Sequence, residues 1–97
     1  MTWQPVVTPL FRRHKKKASR PLQEAIDDAA RTILTNPMIG EPKVGAFIGV
    51  RVYKFTHHNL EYLVAYQLET RKRAIHFLAV GPHENFYRDL QRTRRRR

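Results

Sequence analysis

The chain has 97 residues, the length of a single domain. It contains no cysteine, which excludes disulfides, thiolate catalysis and cysteine-ligated zinc. Nineteen lysines and arginines against eight aspartates and glutamates give a formal net charge of +11, which favours nucleic acid as partner, then an acidic protein, then an anionic membrane. No apolar run approaches the roughly 18 residues that span a bilayer, and no signal-peptide pattern is present, so we expect a cytoplasmic location and no membrane partner.

The N-terminal part is predicted to form a short strand and two helices. Residues 3–8 are expected to form the strand, and residues 10–17 a short basic helix. Ser19 as a cap and Pro21 in the first turn predict a longer helix, which Asn36-Pro37 ends. Apolar residues three and four apart give this helix one buried face: Leu22, Ala25, Ile26, Ala29, Ala30, Ile33 and Leu34.

The C-terminal part is predicted to contain a sheet. A loop with several glycines spans residues 40–49, and after it the hydrophobic period changes from about 3.6 residues to about 2. Antiparallel strands are expected at residues 50–56, 60–69 and 74–80, joined by polar turns. The last of these strands is apolar on both faces apart from His76, as expected in the centre of a sheet.

A short helix is predicted to close the chain. Gly81-Pro82 is expected to end the last strand, and residues 83–93 to form the helix, with Phe86 and Leu90 facing inward. A run of helices followed by a run of strands predicts an α+β fold.

Several segments, taken in order, resemble the RelE/ParE superfamily of toxins from type II toxin–antitoxin systems. They are Asn36-Pro37 with Gly40-Glu41-Pro42, then Val50-Arg51-Val52-Tyr53-Lys54-Phe55, Leu63-Val64-Ala65-Tyr66-Gln67-Leu68, and Ala79-Val80-Gly81-Pro82-His83-Glu84-Asn85-Phe86-Tyr87. The resemblance implies a RelE-like, microbial-RNase-type fold over residues 1–93, with 94–97 as a basic tail. It also implies a cognate acidic antitoxin. Many members cut mRNA in the ribosomal A site, whereas ParE members inhibit DNA gyrase.

Catalysis of RNA cleavage without a metal needs a base, an acid and cations. His83 is the first candidate, and histidine-bearing, YafQ-like members of the superfamily place a catalytic histidine there. Tyr87, one helical turn later, is expected to stack on a base or orient the phosphate. Alternatively, the two are a helix-start histidine and a core aromatic. Arg51, a candidate catalytic cation, and Lys54, a candidate phosphate contact, lie on opposite faces of one strand, so one of them is expected to reach the site.

One segment departs from the superfamily pattern. Many RelE-like nucleases carry a third-strand arginine in a pattern like Tyr-Arg-Leu-Val-Tyr, and Leu63 stands in that place here. The second arginine of the pattern is also missing, and His83 lies near its position. This favours a histidine-based site, or loss of nuclease activity.

Further basic and imidazole side chains are candidate RNA contacts. They are Arg88, His57, His58, Arg12, Arg13, Lys15, Lys16 and Lys17. A metal site at the paired histidines is not expected, because no third ligand stands at a matching spacing, and no cofactor is expected. His14 is expected to add little beyond the basic segment. The functions that remain open are an mRNA endonuclease acting on the ribosome, a gyrase inhibitor without catalytic activity, and a plain RNA-binding module.

Overall fold

The computed structural model describes residues 2–84 and 86–95 of the chain, with residues 93–95 described by their backbone alone. The elements in chain order are β1 (Gln4–Val7), α1 (Pro9–Lys17), α2 (Arg20–Thr35), β2 (Glu41–Pro42), β3 (Arg51–His57), β4 (Leu60–Glu69), β5 (Ala74–Pro82) and α3 (Phe86–Arg95). The α+β prediction is confirmed. No helix in the described ranges is both long and apolar enough to cross a membrane.

The strands form one five-stranded sheet in the order β1-β5-β4-β3-β2. The predicted antiparallel meander β3-β4-β5 is confirmed, and β1 extends it by pairing parallel to β5. β5 carries a bulge, since Tyr66 pairs with Phe77 while the preceding Ala65 pairs with Ala79. Leu78 is therefore the extra residue on β5.

The two N-terminal helices begin as the sequence predicts. The side chain of Thr8 caps α1 by accepting a hydrogen bond from the Phe11 amide at 3.2 Å. Ser19 caps α2 in the same way through the Leu22 amide at 3.3 Å. Each helix also has a proline in its first turn, and α2 ends before the predicted Asn36-Pro37.

Both faces of the sheet are covered. On the helix-pair face, α1 and α2 pack on a core of Phe11, Ile26, Ala29, Ile33, Val64, Tyr66, Ile75, Phe77 and Val80. On the α3 face, the core consists of Val50, Val52, Leu63, Ala65, Leu78, Ala79, Phe86 and Leu90. The predicted inward positions of Phe86 and Leu90 are confirmed, with exposed fractions of 2% and 0%.

β3 and β4 are joined by a two-residue hairpin loop, His58-Asn59. Both residues have positive φ, 50° and 65°, which is typical of a type I′ turn. His57, expected in the turn, is instead the last residue of β3.

The predicted boundary between β5 and α3 is wrong. β5 continues through Gly81-Pro82, and Pro82 pairs with Tyr62 at the last position of the ladder. Proline is tolerated there because β1 pairs with residues 74–77 alone, so no strand needs the missing amide hydrogen. α3 consequently begins at Phe86 rather than His83. It runs to Arg95, past the predicted end at residue 93, and Arg96 and Arg97 lie outside the described residues.

α1 covers the edge of β5 beyond the end of β1. The Thr8 side chain donates to the carbonyl oxygens of Phe77 and Leu78, both at 3.0 Å. Nδ1 of His14 accepts a hydrogen bond from the Val80 amide at 3.2 Å. His14 therefore does more than extend the basic segment, because it satisfies a strand-edge donor that would otherwise lack a partner.

Candidate active site

His83 and Tyr87 lie next to each other where β5 leads into α3. His83 stands in the bend before the helix, and Tyr87 is in the first turn. Their ring centroids are 5.9 Å apart in an edge-on arrangement with an interplanar angle of 69°. The carbonyl of His83 accepts a hydrogen bond from the Phe86 amide at 3.2 Å, which fixes the bend. His83 is exposed and Tyr87 half-buried, so the histidine ring is open to a substrate and the tyrosine ring is held in place.

Residues of the linker (residues 36–50) complete the surroundings of Tyr87. The ring of Phe47, in a 3-10 turn at Gly45–Phe47, lies 5.5 Å from the Tyr87 ring. Nζ of Lys43 lies 5.7 Å from the centroid of the same ring. Neither residue was among the predicted site residues, because a loop has no hydrophobic period that would point its side chains to a face. We call Lys43, Phe47, His83 and Tyr87 the Tyr87 cluster.

The strands present a row of residues on the same face of the sheet. Lys54, Leu63 and Gly81 are directly opposite one another on β3, β4 and β5. Leu63 is fully buried in the α3-face core, so all three lie on the α3 face. Lys54 is exposed, and of the two candidate cations on β3 it is the one on the side of Tyr87.

The structure places Arg51 on the opposite face, where it pairs with Tyr66. Its Nη1 donates hydrogen bonds to the carbonyl oxygens of Met38 and Gly40, at 3.1 and 2.6 Å. Arg51 is therefore not brought together with His83 and Tyr87. It holds the linker against the sheet.

The paired histidines lie at the tip of the β3-β4 hairpin. Their rings stack with centroids 4.1 Å apart. His57 shares the helix-pair face with Phe55 and Tyr62, away from Lys54. Within residues 2–84 and 86–95 no group of three or more histidine, aspartate or glutamate side chains could hold a metal ion.

The predicted RNA contacts on α1 form an exposed basic surface with one exception. Lys15 makes an ion pair with Asp27 of α2, Nζ to Oδ1 2.6 Å, so its charge is partly compensated within the fold. The other members of this surface are Arg12, Arg13, Lys16 and Lys17, and Arg88 is exposed on α3.

The pKa of His14, on α1, is shifted from its usual value. Burial is the main cause and lowers its pKa from the usual 6.5, while Asp89 opposes the shift with Oδ2 at 3.8 Å from Nε2. Lys17 and Arg13 lower it further. A neutral ring suits the acceptor role of Nδ1 toward the Val80 amide.

Comparison with known proteins identifies the family. A family model described as the ParE-like toxin of type II bacterial toxin–antitoxin systems matches residues 6–91. The chain belongs to this family. The resemblance to RelE/ParE toxins that the sequence segments indicate is thereby confirmed. No curated protein sequence matches this toxin.

Solved structures of toxins share the fold. A RelBE toxin–antitoxin complex from Mycobacterium tuberculosis superposes with a TM-score of 0.76 at 16% identity, covering 86% of this toxin and 100% of that chain. A free E. coli RelE carrying two arginine-to-alanine substitutions gives 0.76 at 17% identity, covering 98% of each chain. The intact E. coli RelBE complex gives 0.68 at 18% identity, covering 84% of this toxin and 98% of that chain. The predicted RelE-like fold is therefore confirmed.

Proposed function

We propose that this toxin is a metal-independent endoribonuclease that cuts mRNA on translating ribosomes, with His83 and Tyr87 as catalytic residues. The observation that carries the proposal is the contact between an exposed histidine ring and a held tyrosine ring at 5.9 Å. The RelE-like fold and the family support it.

The chemistry requires one proton acceptor and one proton donor. A base removes the proton of the 2′-hydroxyl, O2′ attacks phosphorus, and the 5′-oxygen leaves with a proton. The imidazole of His83 can serve in either step near neutral pH. Tyr87 offers a hydroxyl for the phosphate, and its ring is held by the neighbouring rings of His83 and Phe47. Lys54, on the same face of the sheet, supplies positive charge near the substrate backbone.

The test is primer extension on cellular mRNA after induction of the toxin. His83→Ala should lower cleavage at least about 100-fold, the low end of what proton transfer by a positioned side chain contributes. His76→Gln is the matched control. His76 lies on β5, its Nε2 is hydrogen-bonded to Oε1 of Glu69 at 2.8 Å, and it is not part of the Tyr87 cluster. Cuts that persist undiminished in His83→Ala would contradict the proposal.

Inhibition of DNA gyrase is the second candidate function. Two observations favour it: the matching family model is ParE-like, and Leu63, standing where many RelE-like nucleases carry an arginine, is fully buried in the core. It predicts intact mRNA, filamentous cells and induction of the DNA-damage response. The same induction experiment separates the two functions, since discrete cuts are expected from the nuclease alone.

An acidic antitoxin is the proposed protein partner. The M. tuberculosis and E. coli RelBE structures are complexes of a toxin with its antitoxin. A net charge of +11 favours an acidic chain, and exposed apolar side chains at Val44 and Ile48 offer surface for it to cover. We expect this antitoxin to be a small acidic protein encoded by a gene beside that of the toxin.

A further inference from the structure

We infer that Lys43 is the phosphate-binding cation beside His83 and Tyr87, so that the linker supplies at this point a charge that the sheet places only at Lys54, at the far end of the row. The inference rests on the proposed nuclease function and deepens it. Cleavage develops negative charge on the phosphate in the transition state, and a cation held beside the reacting groups is needed to stabilise it.

The sheet offers little charge at this position. In the row Lys54, Leu63 and Gly81, the central residue is a buried leucine and the residue nearest to His83 is a glycine. Lys54 stands at the far end of that row, on β3, and Arg51 is bound to linker carbonyls on the opposite face. The strands therefore place no cation beside the His83–Tyr87 pair.

Lys43 stands where this charge is missing. Among the described side chains it is the one cation placed against an aromatic ring of the Tyr87 cluster, with Nζ 5.7 Å from the ring centroid. Its own amide donates to the Val50 carbonyl at 2.9 Å, which ties the start of its side chain to the base of β3. The side chain is 26% exposed, so it is partly packed and partly open to solvent.

Glu41 is poised to compete with RNA for this ammonium group. Its Oε1 lies 3.7 Å from Nζ of Lys43, a loose ion pair, and the Glu41 side chain is 66% exposed. A pair of this kind contributes little to stability. A phosphate oxygen can therefore replace the carboxylate at Lys43 when RNA enters, and the carboxylate reduces affinity for RNA until then.

The first experiment removes the charge of Lys43 and keeps its stem. Lys43→Met should reduce cleavage of cellular mRNA, measured by primer extension at equal toxin level, about tenfold or more, and Lys43→Arg should retain most of it. Lys72→Met is the matched control, because Lys72 also makes a loose pair, 3.9 Å from Glu69, in the turn before β5. Unchanged cleavage in Lys43→Met would overturn the inference.

The binding measurement uses an RNA oligonucleotide with 2′-O-methyl groups, which the toxin cannot cut because the nucleophile is blocked. Lys43→Met should make the negative slope of log affinity against log salt shallower by about 0.7, the loss of one phosphate contact on a single strand. A slope equal to that of the wild type would contradict a phosphate contact at Lys43.

The second experiment removes the competing carboxylate. Glu41→Gln should tighten binding of the same oligonucleotide severalfold, and this gain should vanish in the Lys43→Met background. Glu24→Gln, which removes an exposed carboxylate from α2, gives the effect of net charge alone. A gain that equals that of Glu24→Gln, or that survives in the double variant, would refute the competition.

Different results would contradict the nuclease function and the role of Lys43. Wild-type toxin that leaves mRNA uncut overturns the nuclease function and, with it, the role of Lys43 in cleavage. Wild-type toxin that cuts mRNA, with Lys43→Met cutting equally well, overturns the role of Lys43 alone.

Discussion

Tyr66 is the residue that fastens the linker to the sheet. Its hydroxyl donates to the Pro37 carbonyl at 2.7 Å and accepts from the Gly40 amide at 2.8 Å. The space is so tight that a Cβ on Gly40 would stand 2.6 Å from the Tyr66 hydroxyl oxygen. Burial raises the pKa of Tyr66 above its usual value, so the phenol stays protonated and keeps its donor role. The linker in turn carries Lys43 and Phe47 to Tyr87.

Tyr66→Phe should destabilise the protein by about 1–3 kcal/mol, because it leaves a buried amide and a carbonyl without their partner. Urea unfolding gives the free energy directly. Tyr53→Phe, at a half-buried tyrosine on β3, is the control. Equal free energies of unfolding for the two variants would show that the hydrogen bonds of the Tyr66 hydroxyl do not contribute to stability.

At the scale of elements, the attachment of α1 to β5 depends on a neutral His14. The lowered pKa means that the unfolded chain binds this proton more readily than the folded chain. The contribution of His14 to stability is therefore fully present above pH 6.5 and is lost as the pH falls below it. The carboxylate of Glu69, whose pKa is lowered mainly by its hydrogen bond from His76, titrates below this window.

The free energy of unfolding should accordingly fall between about pH 7.5 and pH 5.5, and His14→Gln should reduce this fall, since glutamine has an acceptor but no titration in this range. Urea unfolding of both proteins at the two pH values provides the measurement. An identical pH dependence in wild type and variant would exclude His14 as its source.

Periodic segments were predictable from the sequence, and contacts between distant segments were not. α2, the β3-β4-β5 meander and the positions of Phe86 and Leu90 follow from local patterns. The parallel pairing of β1 with β5 joins residues at opposite ends of the chain, and no local pattern reports it. In the candidate site, the sequence predicts that His83 and Tyr87 lie one turn apart on a helix over residues 83–93, whereas the structure brings them together through the bend before α3. Lys43 reaches Tyr87 through tertiary packing of a loop.

At the scale of the whole molecule, the net positive charge acts on both proposed partners, RNA and an acidic antitoxin. The exposed cations of α1 and Arg88 of α3 are part of the net charge of +11. Such a field speeds association with polyanions and weakens with salt. RNA and an acidic antitoxin would therefore compete for binding to the positively charged toxin.

The association rate of the proposed antitoxin should therefore fall steeply, by tenfold or more, as salt rises from about 50 to 500 mM, while the dissociation rate changes less. Stopped-flow mixing with the proposed antitoxin measures both rates. A salt-independent association rate would show that the contact is driven by apolar burial instead.

The bulge at Leu78 sets the side of the sheet on which the candidate active site lies. Residues 74–77 and 79–82 of β5 are out of phase by one residue, so Ala79 and Gly81 face α3, whereas an unbroken alternation would turn them toward α1 and α2. His83 follows from this second half of the strand. If β5 kept its length but paired without the bulge, the segment leading to His83 would emerge on the side of His14 instead of the side of Lys43. Deletion of Leu78 would instead restore a regular ladder, with Ala79 directly after Phe77 and still opposite Ala65, and would leave the candidate site on the α3 face.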